Sequence, residues 1–180
     1  MLFLIIGQWT VGMLRGNFVQ QKKQVKKTVA IIGSTEKSGA AIANKFAVGN
    51  NRLLLIANEV NQLSQIARKI KRNNLNAEVE MADCAKEGCW QADIIVLAIS
   101  FHELKKVIEK ISEVATQKIV LFISNEYDES NATELQHLLP HSRIVTALFD
   151  SFSGETFIES NDEEASETIS KMINTAVISR

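Results

Sequence analysis

A turn of seven residues that follows the apolar run Thr28–Ile32 could bind phosphate. Its sequence is Gly33-Ser34-Thr35-Glu36-Lys37-Ser38-Gly39. A glycine-punctuated turn that leads from a strand into a helix presents backbone N–H groups to an anion, and the helix dipole adds to the attraction. The turn therefore predicts a site for the diphosphate of a dinucleotide.

Glu36 is the residue of this turn that opposes such a site. A carboxylate about 4 Å from a phosphate charge costs about 4 kcal/mol at an effective dielectric near 20, which is roughly a thousandfold in affinity. Lys37 could offset much of that cost, and the Glu36 side chain could turn into solvent. The sequence alone leaves open whether this turn still binds a dinucleotide.

Polar residues also follow two later apolar runs. Asn58 and Glu59 could accept hydrogen bonds from the hydroxyls of a ribose, and Asn58 could instead cap the helix that begins near Val60. His102 could exchange a proton with a substrate, or it could lie in solvent or cap the next helix. These alternatives stay open at this point.

The elements that must position these residues alternate regularly from residue 28 onward. Short apolar runs predict strands at Thr28–Ile32 and at residues 52–57, 77–81, 93–100, 118–124, 143–148 and 156–159. Stretches with apolar residues at helical spacing predict helices at residues 40–48, 60–72, 104–114, 132–139 and 162–176.

Strands that are apolar on both faces and alternate with helices indicate a mainly parallel sheet covered on both sides. We therefore predict a single doubly wound α/β domain over residues 28–180. In such sheets ligands bind outside the carboxyl ends of the strands, where the strand order reverses. The turn at residues 33–39 and the loops at 57–61 and 98–103 should meet there.

The composition indicates a folded protein and argues against several functional classes. The chain has 180 residues, 46% of them hydrophobic and 23% charged, which excludes wholesale disorder. A net charge of -1 gives no reason to expect nucleic acid or an anionic membrane as a partner. Cys84 and Cys89 are too few for a disulfide framework and lack the further ligands of a zinc site. We expect reduced cysteines, no metal and a cytoplasmic location.

Residues 1–27 precede the first predicted strand and form an extension. Residues 1–14 are mostly apolar and a run rich in lysine follows. A helix of that length spans about 21 Å, short of a hydrocarbon core of about 30 Å, so no membrane span is expected. Neither the basic start nor the cleavage site of a secretory signal is visible. A tail without fixed structure, a translated upstream segment, a helix packed on the domain and a docking segment remain alternatives.

Residues 28–176 resemble a known family, the coenzyme F-420-dependent NADP reductases, which are related to the N-terminal domains of pyrroline-5-carboxylate reductases. The similar segments are residues 29–47, 92–101, 118–125, 138–149 and 157–176. The resemblance implies a Rossmann-type fold, NAD or NADP as cofactor, a small-molecule substrate, and subunits paired as a homodimer. Beyond the turn, it places Asn58, Glu59, Ile99, Ser100, Phe101, His102 and Asn125 at the cofactor.

The chain departs from the family pattern in ways that bear on function. Ser34 and Glu36 replace two glycines of the phosphate turn, while Gly33 and Gly39 are retained. After the second strand this chain has Ala57-Asn58, then Glu59, where NADP-specific relatives have the Ser-Arg that holds the 2′-phosphate, and the loss of that arginine favours NAD.

Two further departures concern the substrate side. Ser100-Phe101-His102 replaces Val-Pro-Phe, and Thr146-Ala147-Leu148-Phe149 replaces Lys-Ala-Phe-Asn.

Two hypotheses follow. In the first, the protein is an NAD(P)-binding oxidoreductase that transfers a hydride between the nicotinamide and an unidentified acceptor. In the second, it is a non-catalytic relative that serves as a nucleotide-sensing or protein-interaction module.

Overall fold

The computed structural model describes residues 25–124, 129–150, 153 and 155–178. Seven strands and six helices follow one another in this part of the chain: β1 (Thr28–Ile32), α1 (Lys37–Val48), β2 (Arg52–Ile56), α2 (Val60–Asn73), β3 (Glu78–Met81), α3 (Ala85–Gln91), β4 (Ile94–Leu97), α4 (Phe101–Ala115), β5 (Ile119–Ser124), α5 (Glu129–Leu138), β6 (Arg143–Phe149), β7 (Thr156–Glu159) and α6 (Glu163–Ile178).

The strands form one sheet in the order β3-β2-β1-β4-β5-β6-β7. β1 lies between β2 and β4 and runs parallel to both, with Ile31 paired to Leu55 on one side and to Val96 on the other. β7 runs antiparallel to β6. The predicted doubly wound, mainly parallel α/β fold is therefore confirmed. The strand order reverses at β1 and β4, so their carboxyl ends mark the expected ligand position.

Helices cover both faces of the sheet, and this explains the unbroken apolar strands. Val29 and Ile31 face the side of α1, α2 and α6, whereas Ala30 and Ile32 face the side of α3, α4 and α5. Alternate residues of a strand point to opposite faces. A strand that is covered on both faces must therefore be apolar at every position, and each buried Ile or Leu stabilises the fold by about 1.5–3 kcal/mol.

The structure corrects several element boundaries. α1 begins at Lys37, three residues before the predicted start, so Lys37 and Ser38 belong to the helix rather than to the turn. α4 begins at Phe101, which places His102 in the first helical turn and not in a loop. α1 begins with Lys-Ser-Gly and α4 with Phe-His-Glu, and neither start continues the apolar period of its helix, so the period did not reveal them.

α3 is absent from the sequence prediction. It has seven residues, of which only Gly88 and Cys89 are buried, so it carries no apolar repeat. Cys84 is exposed, Cys89 is buried, and both are free. Burial raises the pKa of the Cys89 thiol to about 12, so this cysteine acts as a small apolar side chain.

An ion pair and a helix cap join β6 to α6. Arg143 Nε donates to Asp162 Oδ2 at 2.6 Å, and the N–H of Ala165 donates to Asp162 Oδ1 at 2.9 Å. The guanidinium of Arg143 and, after it, the backbone of Ala165 hold the pKa of Asp162 at about 2. Asp162 therefore lies immediately before α6 as its cap.

We expect Asp162→Ala to lower the free energy of unfolding by roughly 0.5–2 kcal/mol at neutral pH, because the helix loses its cap and Arg143 its partner. The folded carboxyl has a lowered pKa, so its stabilisation is present above about pH 4 and is lost as the pH falls through about 2. Urea unfolding of both proteins between pH 7 and pH 2 checks this. The control Glu167→Ala removes an exposed pair with Lys171 and should change little. If the difference in free energy of unfolding between the wild type and Asp162→Ala does not shrink in acid, the role given to the Asp162 carboxylate is contradicted.

Candidate functional site

The turn between β1 and α1 keeps glycine at the two positions where the backbone demands it. Gly33 has a φ of +80°, and a Cβ there would lie 2.2 Å from the carbonyl oxygen of Ala98 at the end of β4. A Cβ on Gly39 would lie 2.3 Å from the carbonyl oxygen of Gly33. These glycines let the turn approach β4 and let α1 approach the turn.

Ser34, which replaces a family glycine, points into the protein. It is fully buried, and its hydroxyl donates to the carbonyl oxygen of Ile56 at 3.3 Å. The N–H of Gly33 donates to the same oxygen at 3.1 Å. The Ser34 side chain therefore ties the turn to the end of β2.

Glu36, which replaces the other glycine, is exposed and is the N-cap residue of α1. Its φ of -68° and ψ of 154° are accessible to any residue, so this backbone does not require glycine. Its N–H donates to the carbonyl oxygen of Gly33 at 3.0 Å, which closes the turn. The N–H groups of Lys37, Ser38 and Gly39 come next, at helix positions that have no intrahelical acceptor.

Two cavities open beside Glu36, which lines both. The smaller, of about 360 Å³, lies between the turn, the loop after β2 and one side of α4. The larger, of about 650 Å³, lies over the carboxyl ends of β4 and β5 and against α5. Together they form a cleft that runs across the strand-order reversal, with the N-terminus of α1 at its middle.

Most of the predicted site residues lie on this cleft. Those that line the smaller cavity are Gly33, Thr35, Glu36, Asn58, Glu59 and Ile99. Those that line the larger cavity are Glu36, Ser38, Ile99, Ser100, Phe101 and His102. Lys37 is exposed beside the cleft, whereas Ser34 and Gly39 are buried behind it. Asn125 lies outside the described residues.

The loop after β2 resolves one of the open alternatives. Glu59, not Asn58, is the N-cap residue of α2, and its carboxylate accepts a hydrogen bond from Gln62. Asn58 is exposed and lines the smaller cavity. The cap interpretation of Asn58 is thus wrong, because the helix begins one residue later than such a cap requires.

A short hydrogen-bond network surrounds the start of α4. The Ser100 hydroxyl donates to Glu103 Oε2 at 2.5 Å, and His102 Nε2 lies 3.4 Å from the same hydroxyl. The Ser100 hydroxyl is the main cause that lowers the pKa of Glu103. Ser and Glu at this spacing are typical of a helix N-terminal capping box. Glu103 thus stands as a carboxylate at the border of the two cavities.

Sequence reasoning missed several residues of the cleft, among them Glu103, Lys106, Lys110 and Asn131. Lys106 and Lys110 bring positive charge to the smaller cavity from α4. Lys106 and Lys110 are four residues apart in the helix that follows a strongly predicted strand, and residues four apart share one face of a helix. This spacing could have predicted that both lysines face the same cavity. Asn131 lines the larger cavity from α5, and no motif marks it.

The described residues contain no group of three or more His, Cys, Asp or Glu that could hold a metal ion. No helix in the same part of the chain is long and apolar enough to cross a bilayer.

The strand order, the glycine turn and the cleft above it define a Rossmann-type dinucleotide-binding domain. Residues 28–126 match the family described as NADP oxidoreductase, coenzyme F-420-dependent. The chain therefore belongs to this family, as its resemblance predicted. No curated protein sequence matches the chain at a significant level.

Solved structures share the fold at low sequence identity. A protein from Arthrobacter sp. FB24, assigned as an F-420-dependent NADP reductase, is 16% identical with a TM-score of 0.66, over 83% of this chain and 80% of its own. An imine reductase variant from Myxococcus stipitatus in complex with NAD⁺ is 14% identical with a TM-score of 0.69, over 84% and 52%. The pyrroline carboxylate reductase of Plasmodium falciparum with NADP bound is 16% identical with a TM-score of 0.62, over 83% and 55%. This chain spans about half the length of the last two.

Proposed function

We propose that the protein binds NAD(P) across the cleft and transfers a hydride between the nicotinamide and a small molecule in the larger cavity. The observation that carries this proposal is the pair of cavities that meet at the N-terminus of α1, beside a turn with both of its sterically required glycines. The diphosphate would lie at the amides of Lys37, Ser38 and Gly39. A homodimer, as the resemblance implies, is part of the proposal.

The two halves of the dinucleotide take different cavities in this proposal. The smaller has the size and the polar rim for an adenosine, with Asn58 and Glu59 toward the ribose and Val107 toward the base. The larger lies at the ends of β4 and β5, where Ile99 and Ser100 would contact the nicotinamide. The remaining volume of the larger cavity, toward α5, would take the substrate.

The choice between NAD and NADP depends on two opposite walls of the smaller cavity. Glu59 can accept hydrogen bonds from a free ribose and repels a 2′-phosphate, which favours NAD. Lys106 and Lys110, on the opposite wall, offer the charge that NADP needs. We propose NAD, because the ribose lies beside the loop after the second strand in this fold.

The second candidate function is a non-catalytic nucleotide sensor or protein-interaction module. Its supporting observation is Glu36, an exposed acidic residue that lines both cavities beside the N-terminus of α1. In that case the cleft would bind a nucleotide weakly or not at all, and no hydride would be transferred.

Oxidation of NADH and NADPH by the purified full chain separates the two candidates. We expect loss of nicotinamide absorbance that depends on an added acceptor, drawn from a panel of cyclic imines, ketones and a deazaflavin. Gly39→Ala should abolish the reaction if it occurs at the cleft. Saturable cofactor binding without oxidation would favour the sensor, and no binding below millimolar concentration would reject the oxidoreductase.

A further inference from the structure

The end of the sheet opposite the cleft carries an exposed surface that the proposed function does not use. β1, β2 and β3 run parallel, so their first residues, Thr28, Arg52 and Glu78, lie side by side at this end. The loop that joins α2 to β3 and the residues that lead into β1 lie there too. We call this the amino-end surface, and its main residues are Lys26, Lys27, Lys71, Arg72, Leu75 and Trp90.

Basic side chains dominate the charge of the amino-end surface. Lys71 and Arg72 lie in the last turn of α2, a helix that contains four basic and no acidic residues. Lys27 precedes β1 directly. These three side chains form no salt bridge in the described part of the chain, so their positive charge is open to a partner.

The carboxylates on the neighbouring strand do not cancel this charge. Both acidic side chains of β3 are already paired with other basic residues, Glu78 with Lys26 and Glu80 with Arg52. The net charge of -1 for the whole chain conceals the basic surface, because salt screens a charge over about 8 Å at physiological ionic strength. A partner at this end of the sheet therefore meets the local charge and not the net charge.

Two large apolar side chains project from the same surface. Leu75 is 92% exposed and Trp90 is 71% exposed. Leu75 lies in a loop whose backbone is held by Asn74, since the Asn74 side chain donates to the carbonyl oxygen of Ala47 at 2.7 Å and accepts from the N–H of Asn76 at 3.2 Å. The fold thus keeps Leu75 in the solvent instead of letting it pack on the domain.

Trp90 lies close to the point where the chain enters β1. Three residues after Trp90, the N–H of Asp93 donates to the carbonyl oxygen of Thr28 at 2.8 Å, and the N–H of Thr28 donates to Asp93 Oδ2 at 2.8 Å. β4, which follows Trp90, and β3, which follows Leu75, are three strand spacings apart, or about 14 Å. The two apolar side chains therefore stand on opposite sides of a broad surface and not in a narrow groove.

This combination of charge and exposed apolar side chains fits one kind of partner. Lys and Arg near exposed apolar and aromatic residues match the headgroup region of an anionic membrane, where phosphates lie next to hydrocarbon. A nucleic acid would meet the same positive charge, but Leu75 offers it no hydrogen bond. The chain also joins this surface through Val25, and residues 1–14 of the preceding segment are mostly apolar.

We propose that the amino-end surface docks the protein on an anionic lipid membrane. Lys27, Lys71 and Arg72 contact the headgroup phosphates, and Leu75 and Trp90 enter the interface between headgroups and hydrocarbon. The cleft lies at the opposite end of the sheet and stays open to solvent in this orientation. The inference goes beyond the proposed function and does not depend on it.

Flotation of the full chain with lipid vesicles tests the proposal. One set of vesicles contains phosphatidylcholine mixed with phosphatidylserine, and the other contains phosphatidylcholine alone. We expect binding to the anionic vesicles that weakens as salt is added, and binding to the neutral vesicles that is at least about tenfold weaker, because each basic residue near an anionic surface contributes about fivefold to the affinity.

Exposed substitutions assign the binding to this surface. Arg72→Gln should weaken binding to the anionic vesicles about fivefold, and its matched control Lys105→Gln, exposed on α4, should leave binding unchanged. Leu75→Ser and Trp90→Ser should each weaken binding severalfold, because less apolar surface is buried in the interface. The control Val60→Ser removes an exposed apolar side chain at the other end of α2 and should have no effect. Circular dichroism verifies folding.

Three results would overturn the proposal. The first is equal binding to the two kinds of vesicle, or none to either. The second is binding that Arg72→Gln and Leu75→Ser leave unchanged. The third is a double-stranded oligonucleotide that binds more tightly than the anionic vesicles and is weakened by Arg72→Gln but not by Leu75→Ser, which would assign the surface to nucleic acid.

Discussion

Replacing Glu36 by glutamine is expected to tighten the binding of NAD(P) by between about tenfold and a thousandfold. Glu36 lines both cavities beside the helix N-terminus that is proposed to hold the diphosphate, and a charge about 4 Å from a phosphate costs up to about 4 kcal/mol. Glutamine keeps the size and the extended backbone of Glu36, so the change isolates the charge. Calorimetric titration with NADH and NADPH measures it.

Glu36→Gly restores the family residue and should tighten binding in the same direction. Glu109→Gln is the matched control, since its charge lies on the exposed side of α4 and outside the cleft, and its dissociation constants should equal those of the wild type. Tight wild-type binding that Glu36→Gln leaves unchanged would show that the carboxylate never faces the phosphates.

Replacing Gly39 by alanine is expected to abolish dinucleotide binding and to destabilise the fold. The added Cβ would lie 2.3 Å from the Gly33 carbonyl oxygen and 3.0 Å from the Ser34 Cα, and both are backbone atoms that cannot rotate away. Overpacking of this kind costs about 1–3 kcal/mol. It also moves the turn and α1 apart, which displaces the amides from the diphosphate. Urea unfolding and calorimetry measure the two effects.

Gly88→Ala on α3 is the control for this prediction. Its Cβ would meet the Ile56 Cδ1 atom at 2.8 Å, the far end of a flexible side chain. Alanine also gains about 1 kcal/mol over glycine inside a helix. We expect nearly unchanged stability and an unchanged dissociation constant. Equal effects of the two substitutions would contradict the special role of Gly39.

The fold could be predicted from the sequence because burial on both faces leaves an apolar pattern within each strand. A strand that is covered on both faces must be apolar wherever it is buried. β4 is apolar throughout, and β1, β2 and β5 are apolar except at one terminal residue each, Thr28, Arg52 and Ser124. The helix that escaped prediction, α3, buries only two residues and so lacks this signal. β7 was predicted as a strand, but its alternation between half-buried and exposed positions does not reveal its antiparallel direction.

The sequence predicted the position of the phosphate turn but not the orientation of its side chains. The glycine pattern locates the turn, whereas only the structure shows that Ser34 is hydrogen-bonded to Ile56 inside the protein and that Glu36 lines the cleft. Asn131 lies some 90 residues after the turn, and only the packing of α5 brings it to the same cavity as Ser38. Such convergence depends on the tertiary structure and has no local signature.

The most direct test of the account is a cofactor titration followed through the backbone amide resonances of Lys37, Ser38 and Gly39. We expect these three N–H groups to bind a diphosphate despite the neighbouring Glu36. Their resonances should show saturable shifts at submillimolar NADH or NADPH, larger than those of amides at the opposite end of α1. Resonances that stay unmoved up to millimolar cofactor, or saturable binding that shifts only distant residues, would contradict it.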